Sequence, residues 1–198
     1  MTDTRYTALV LAATRGNRDP LAVAGGVSHK AFIDIAGEPM LRRVVRGVID
    51  SGRVGRVIVQ IEDASTAEAR EVLSPLGADA MIVFTPSAES IGASVAAAVD
   101  AFPDSLPLIV TTGDNALHDG ELVKFFCDAL DDVDDDGALG LTPASYVLEK
   151  YPEGNAPSTA SATGSSRAAT SMRCSRPRRL RRRACSTAGD SSARSPGG

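Results

Sequence analysis

The sequence predicts an α/β fold with a mostly parallel sheet that is covered by helices on both faces. Short apolar runs alternate along the chain with longer segments whose apolar residues recur at helical spacing. Such alternation is typical of parallel sheets, because a helix carries the chain back before the next strand begins. Several of the runs are apolar throughout, which predicts strands that are buried on both faces.

The first predicted elements are a strand, a long loop and a helix. The run TALVLAA at 7–13 is apolar enough for a buried strand, and residues 14–30 have the small and charged composition of a loop. FIDIAG at 32–37 alternates and then turns at its glycine. The helix predicted over 40–52 follows Pro39, a favourable first helical residue, and carries an apolar stripe on one face.

The same alternation continues as far as residue 150. The further strands are apolar runs bounded by turn residues, and the further helices are amphipathic or rich in small residues. The predicted strands are 54–61, 78–86, 106–114 and 138–147, and the predicted helices are 66–77, 90–102 and 118–130.

The composition of the chain changes near residue 151. The 198 residues have a net charge of −4, but residues 151–198 contribute about +7 and residues 1–150 about −11. The C-terminal part has almost no large apolar residues and no periodicity, so it cannot bury enough surface to offset its ordering entropy. We therefore predict a folded domain over 1–150 and a disordered Arg-, Ser-, Ala- and Gly-rich tail over 151–198.

Composition also limits the functional class. No apolar run approaches the roughly 20 residues that span a bilayer, so no membrane association is predicted. The three cysteines are widely spaced and form no CxxC pair, which argues against a disulfide framework or a zinc site and predicts a cytoplasmic protein. The N-terminal apolar run has no cleavage pattern, and we interpret it as a strand instead of a signal peptide.

A loop rich in small residues follows the first strand. LAATRG at 11–16 lets backbone N–H groups approach a phosphate chain closely. Arg15 and, further along, Lys30 can neutralise phosphate charge, and a lysine can stabilise a leaving pyrophosphate. The pattern is neither a Walker loop nor GxGxxG, and an ordinary turn with surface charges is the alternative.

An aspartate stands at the end of the predicted strand 106–114. In TTGDN at 111–115, a carboxylate held at a strand end is well placed to bind Mg²⁺ that bridges nucleotide phosphates. The alternative is that Asp114 is a helix N-cap or a turn residue.

The predicted helix 90–102 begins with SIGASV, whose hydroxyls and free amides could meet a base or a phosphate. A plain N-cap with tight helix packing is the alternative. The two histidines, His29 and His118, lack metal-ligand spacing, and we predict loop-surface roles for both.

Together these residues resemble the MobA-like nucleotidyltransferases. LVLAATRG and SHKAFIDIAGEPML resemble the family's strand-LAAGxG, lysine and G.PML..V pattern, and TTGDNALHD resembles its metal-binding element. The resemblance covers about residues 7–150. It implies a Rossmann-like three-layer α/β/α sandwich of the nucleotide-diphospho-sugar transferase type. It also implies an NTP substrate, Mg²⁺ and transfer of a nucleotidyl group to a small phosphorylated acceptor with release of pyrophosphate.

The resemblance also assigns roles to individual residues. Lys30 would contact phosphate and act catalytically with Arg15, Ser94 would lie near the base, and Asp114 would bind the metal. Thr14 stands where the family has glycine, and the family's second metal-binding carboxylate has no match. The loop residues that would hold the nucleotide are Leu11, Ala12, Ala13, Arg15 and Gly16.

Two other functions stay open at this stage. A glycosyltransferase that uses a nucleotide sugar would share the sheet and the aspartate, although such enzymes favour DxD and TTGDN lacks it. A non-catalytic protein could bind nucleotide, or nucleic acid through its basic tail, by counterion release. We regard a nucleic-acid partner as the weaker prediction, and the oligomeric state is left open.

The tail has the composition that GC-rich DNA gives in a wrong reading frame. We interpret residues 152–198 as translated out of frame, which would leave the C-terminal portion of the fold incomplete. The predicted strands 106–114 and 138–147 would then have exposed edges, and transfer activity would be impaired.

Overall fold

The computed structural model describes residues 6–14, 19–132, 136–150, 152, 158–161, 164–167 and 173–175. The strands are β1 Tyr6–Leu11, β2 Val54–Gln60, β3 Ile82–Thr85, β4 Leu108–Thr112, β5 Gly137–Leu139, β6 Thr142–Pro143, β7 Ser158–Ser161, β8 Gly164–Arg167 and β9 Arg173–Ser175. The helices are α1 Pro20–Gly25, α2 Met40–Asp50, α3 Thr66–Leu73, α4 Ile91–Ala101, α5 Gly120–Asp131 and α6 Ala144–Lys150. A short 3-10 helix at Lys30–Phe32 separates α1 from α2.

The larger sheet is mostly parallel, as the alternation of elements predicts. Its six strands lie in the order β3-β2-β1-β4-β9-β5. The first four are parallel to their neighbours, whereas β9 is antiparallel to both β4 and β5. A smaller sheet has the order β6-β8-β7. The carboxyl ends of β1, β2 and β4 therefore meet at one edge of the larger sheet, where ligands of open α/β sheets bind.

Successive residues of the central strands reach opposite faces, which makes the fold three layers thick. Ala8 and Val10 of β1 pack with α2, α3 and α5 in one apolar cluster. Leu9 lies between them in sequence and packs with α4 on the opposite face. This arrangement confirms the predicted α/β/α sandwich with strands buried on both sides. None of the described helices has the length and apolar character needed to cross a membrane.

The predicted strand 138–147 is wrong over most of its length. Only β5 and the two-residue β6 are extended, and α6 follows at Ala144–Lys150. Pro143 lacks an amide hydrogen and stops the ladder, and the residues after it include the helix formers Ala, Leu, Glu and Lys. The apolar content of this segment was compatible with either structure, and local propensity after the proline decided it.

Three segments of the predicted tail lie in strands. Of these, β9 pairs with β4 on one side and with β5 on the other. The expectation of an exposed edge is therefore wrong for β4, whereas β5 is the last strand of the larger sheet in the described residues. Ladder hydrogen bonds join backbone groups, and a segment without apolar periodicity can therefore fill a place in the sheet. The rest of 151–198, apart from Pro152, lies outside the described residues. The domain boundary and the disorder of that part stay predictions.

Candidate active site

A cleft of about 640 Å³ opens at the carboxyl ends of β1, β2 and β4. Its volume falls in the range of roughly 300–1,000 Å³ that is usual for small-molecule sites. The long loop after β1, the start of α4 and the turn after β4 form its walls. Among the lining residues are Leu11, Ala13, Thr14, Lys30, Gln60, Ser94, Thr112 and Asp114.

Lys30 and Asp114 meet in this cleft although 84 positions separate them in the sequence. The Lys30 Nζ atom lies 3.2 Å from Asp114 Oδ2. Lys30 begins the short 3-10 helix after the loop, and Asp114 follows β4 in the turn that leads to α5. The tertiary structure thus brings together the lysine and the aspartate that the sequence motifs singled out separately.

The Asp114 carboxylate is held in its ionised form. Burial disfavours the charge, but the Thr112 hydroxyl donates to Oδ1 and the Lys30 ammonium faces Oδ2, and the pKa of Asp114 lies below its ordinary value. Because 48% of the side chain is exposed, the carboxylate remains accessible from the cleft. The result is an accessible anion next to a cation.

These residues fit a magnesium ion only together with a bound nucleotide. Within the described ranges, no three His, Cys, Asp or Glu side chains come together as a possible metal site. Mg²⁺ is commonly held by one or two carboxylates, with substrate phosphates and water completing its shell. Asp114 could therefore supply the protein's share of such a shell, with Thr112 keeping its carboxylate in place.

Ser94 borders the cleft from α4 and is 5% exposed. Its hydroxyl accepts a hydrogen bond from the Ala88 N–H at 3.1 Å, and its carbonyl accepts one from Gln60 Nε2 at 3.1 Å. Ser90 caps the same helix by accepting from the Ala93 N–H. The plain N-cap alternative for SIGASV is therefore confirmed, and contact of this helix start with a base or a phosphate stays a prediction.

Gln60 is a cleft residue that the sequence motifs missed. It is 1% exposed, and its Oε1 atom has no hydrogen-bond partner among the described residues. An unpaired buried acceptor is costly unless a ligand or water satisfies it. The available signal was a polar glutamine after the apolar stretch VIV at the end of the run VGRVIVQI.

The loop after β1 contributes unequally to the cleft. Leu11 and Ala13 line it, whereas Ala12 is 2% exposed and lies behind it against Gly113. A Cβ atom added to Gly113 would lie 3.0 Å from the Ala12 Cβ atom, so the loops after β1 and β4 are in close contact. Arg15 and Gly16, predicted to bind the nucleotide, lie outside the described residues.

Both histidines are buried, so the predicted loop-surface roles are wrong. His29 is 5% exposed and contacts Thr14 and Glu62, and His118 is 2% exposed with its Nδ1 atom 3.2 Å from the Thr111 hydroxyl. Burial lowers the pKa of His118 to about 4, although nearby Asp119 acts in the opposite direction. His29 joins the loop after β1 to Glu62 after β2, and His118 turns back onto Thr111 in β4, so both rings face inward.

The model of the MobA-like NTP transferase domain matches residues 8–182. The chain therefore belongs to this family, which confirms the resemblance and extends it beyond residue 150. A curated relative is the 2-C-methyl-D-erythritol 4-phosphate cytidylyltransferase of Nocardia farcinica, 36% identical over 100 residues. That match covers 50% of this chain and 41% of the relative, so the aligned part is less than half of the relative's length.

Solved structures support the same fold at low sequence identity. A hypothetical transferase from Thermus thermophilus is 20% identical with a TM-score of 0.63, and the match covers 85% of this chain and 64% of that one. The 4-diphosphocytidyl-2C-methyl-D-erythritol synthase from Anaerococcus prevotii is 14% identical with a TM-score of 0.56, over 83% and 63% of the two chains. These matches agree with the Rossmann-like α/β architecture described above.

Proposed function

We propose that the protein is a nucleotidyltransferase that transfers a nucleotidyl group from an NTP to a small phosphorylated acceptor and releases pyrophosphate. The observation that carries the proposal is the Lys30–Asp114 pair, at 3.2 Å, in a cleft at the carboxyl ends of parallel strands. Family membership supports the reaction class. The names of the cytidylyltransferase relative and the diphosphocytidyl synthase neighbour favour CTP as the first nucleotide to test.

The proposed chemistry needs positioning and charge neutralisation more than proton transfer. An acceptor phosphate oxygen attacks the α-phosphorus of the NTP, a new P–O bond forms, and the bond to the β-phosphate oxygen breaks. Lys30 would offset the negative charge that accumulates on the phosphates. Mg²⁺, when bound at Asp114 with the phosphates, would supply further charge neutralisation. The walls of the cleft would hold the two phosphates in line.

Thermal unfolding in the presence of Mg²⁺ and each of CTP, GTP, ATP and UTP tests the nucleotide half of this proposal. A ligand that binds only the folded state raises the unfolding midpoint by mass action. We expect one nucleotide, CTP first, to raise the midpoint, and we expect Lys30→Ala to reduce that rise. The exposed α5 lysine provides a matched control, because Lys124→Ala removes a cation paired with Asp128 outside the cleft.

The transfer half is tested by pyrophosphate release from the preferred nucleotide in the presence of phosphorylated acceptors. Release that depends on both the acceptor and Mg²⁺ would support the proposal. A protein with a cooperative unfolding transition that responds to none of the four nucleotides would refute it. Hydrolysis of a nucleotide sugar instead of an NTP would favour the glycosyltransferase alternative.

A further inference from the structure

We propose that Thr14, His29 and Glu62 form a network that positions Thr14, at the start of the loop after β1, and Lys30 for nucleotide binding. The inference rests on the proposed function, because it assigns a role within the same nucleotide site. The three residues are positioning residues, since each acts through the loop or through Lys30.

Glu62 uses both carboxylate oxygens to hold this network together. Its Oε1 atom accepts a hydrogen bond from the Thr14 backbone N–H at 2.6 Å. Its Oε2 atom lies 3.2 Å from His29 Nε2. Hydrogen bonds to an ionised acceptor are stronger than neutral ones, so this carboxylate is an effective anchor for the first residue after Ala13. The start of the loop is thereby tied to the segment that follows β2.

His29 connects the two ends of the loop. Its Nδ1 atom accepts a hydrogen bond from the Ala31 N–H at 3.1 Å, which caps the 3-10 helix that begins at Lys30. The proton of the neutral ring is consequently on Nε2, which lies 2.7 Å from the Thr14 hydroxyl oxygen. The ring is 5% exposed and lies against Phe32, with 5.4 Å between the ring centroids.

Burial of this ring makes the connection rigid. A buried polar group that loses its partner costs more than one that can turn to solvent. Rotation of His29 would leave its nitrogens unpaired, and the ring therefore holds Lys30, its neighbour in the chain, in a defined place. From that place the Lys30 ammonium reaches Asp114 across the cleft at 3.2 Å.

Thr14 fits this arrangement without backbone strain. The only described non-glycine residue with a positive φ angle is Ala36, so position 14 does not need the conformational freedom of glycine. The Thr14 hydroxyl is what meets the histidine ring, and glycine would remove that contact. In this chain the threonine is therefore part of the site.

The test measures the dissociation constants of Mg²⁺-CTP and of CMP by calorimetry for Thr14→Gly, Thr14→Val and Thr14→Ser. If another nucleotide proves to be the donor, its tri- and monophosphates replace these two probes. We expect Thr14→Gly and Thr14→Val to weaken triphosphate binding about ten-fold, as one hydrogen bond near a charged group allows. Monophosphate binding should change less, because it depends less on Lys30 and the loop. Thr14→Ser keeps the hydroxyl and should restore triphosphate affinity.

Ser28→Ala is the matched control. Ser28 is the chain neighbour of His29, and its hydroxyl donates to the exposed Glu68 at 2.6 Å, so its loss removes a bond of the same loop outside the network. We expect this variant to bind the triphosphate as the wild type does. The unfolding midpoint of each variant without ligand shows that it is folded.

The outcomes separate the network from the proposed function. Triphosphate affinity that depends on Lys30 but is unchanged or improved in Thr14→Gly would overturn the network and leave the proposed function standing. An equal loss for triphosphate and monophosphate, or no rescue by serine, would also overturn it. A wild-type protein that binds no nucleotide would refute both.

Discussion

Lys30 and Asp114 give the cleft a balanced pair of charges before any ligand binds. The pair is partly exposed, so its own contribution to stability is small. Its importance lies in what each group offers a nucleotide, a cation for phosphate and an ionised carboxylate for a metal. At the residue scale, the first consequence is a titration behaviour that can be measured directly.

Replacing Lys30 with methionine should raise the pKa of Asp114. Burial already favours the neutral carboxyl, and the lysine is one of the groups that outweigh it. Carboxyl ¹³C NMR across a pH titration measures the effect. Lys124→Met, which removes the cation next to Asp128 on α5, should leave the titration of Asp114 unchanged. An unchanged Asp114 pKa in Lys30→Met would mean that the two side chains do not interact in solution.

At the element scale, the turn between β4 and α5 is held from several sides. Asn115 Nδ2 donates to the Thr111 hydroxyl at 3.0 Å, and that hydroxyl also meets His118 Nδ1. The turn carries Asp114, and its geometry therefore depends on a small polar cluster of Thr111, Asn115 and His118. His118 Nε2 is buried and finds no partner within the part of the chain that the structure describes, so a charge on this ring would be costly.

Stability should fall as the pH is lowered from 7 towards 4, partly because of His118. Its folded pKa of about 4 is below the value near 6.5 of an unfolded histidine, so between these values the unfolded state binds more protons. The stability that the neutral His118 ring contributes is fully present above pH 6.5. It is lost as the pH falls towards 4, and the loss amounts to roughly 3 kcal/mol at most. Urea unfolding at several pH values should show a shallower dependence for His118→Leu. Equal slopes in the two proteins would contradict the assignment.

The same turn also requires glycine in α2. A Cβ atom added to Gly47 would lie 2.0 Å from the carbonyl oxygen of His118, which is a backbone atom and cannot move aside alone. We expect Gly47→Ala to lower the free energy of unfolding by about 1–3 kcal/mol, the usual cost of overpacking. Denaturant unfolding measures the change.

Gly92 in α4 provides the control for this substitution. A Cβ atom added there meets nothing within 4 Å, and the residue is also helical. Gly92→Ala should be neutral or stabilise the protein by up to about 1 kcal/mol, because alanine loses less backbone entropy in a helix. Similar losses in both variants would show that close approach of α2 to the turn is not the cause.

At the scale of the whole molecule, Arg53 joins elements that are far apart in the chain. It lies just before β2, forms ion pairs with Asp128 and Asp131 at the end of α5, and places its guanidinium carbon 5.9 Å from the centre of the Tyr6 ring in β1. The Tyr6 hydroxyl also donates to Asp131 at 2.8 Å. The edge of the molecule opposite the cleft is therefore held by charge as well as by apolar packing.

Arg53→Leu should lower the free energy of unfolding by about 2 kcal/mol, less than for a fully buried pair because the two aspartates are partly exposed. Chemical denaturation measures the loss. Arg56→Leu is the matched control, because Arg56 makes a two-pronged contact with the exposed Asp104 and its loss should have a much smaller effect. Equal effects would mean that the Arg53 pairs do not stabilise the fold.

The class of fold and much of the cleft were predictable from local patterns. The apolar runs of β1, β2 and β4 are buried, as expected for strands that are covered by helices on both faces of a sheet. The alternating order of strands and helices favours parallel pairing of these strands. Lys30 and Asp114 were predictable from their motifs, because a lysine after a loop of small residues can neutralise phosphate charge and a carboxylate at a strand end can bind a metal. The structure places these two side chains next to each other.

What only the tertiary structure decided were the contacts between residues distant in sequence. No periodic pattern in the sequence indicates three of these features. They are the pairing of β9 with β4, the burial of both histidines, and the buried Gln60 oxygen that finds no partner among the described residues. The apolar pattern of a helix or a strand indicates which of its faces is buried, and the buried faces together determined the three layers of the fold. It does not record which side chains meet across the sheet, because those contacts exist only after the strands have been ordered.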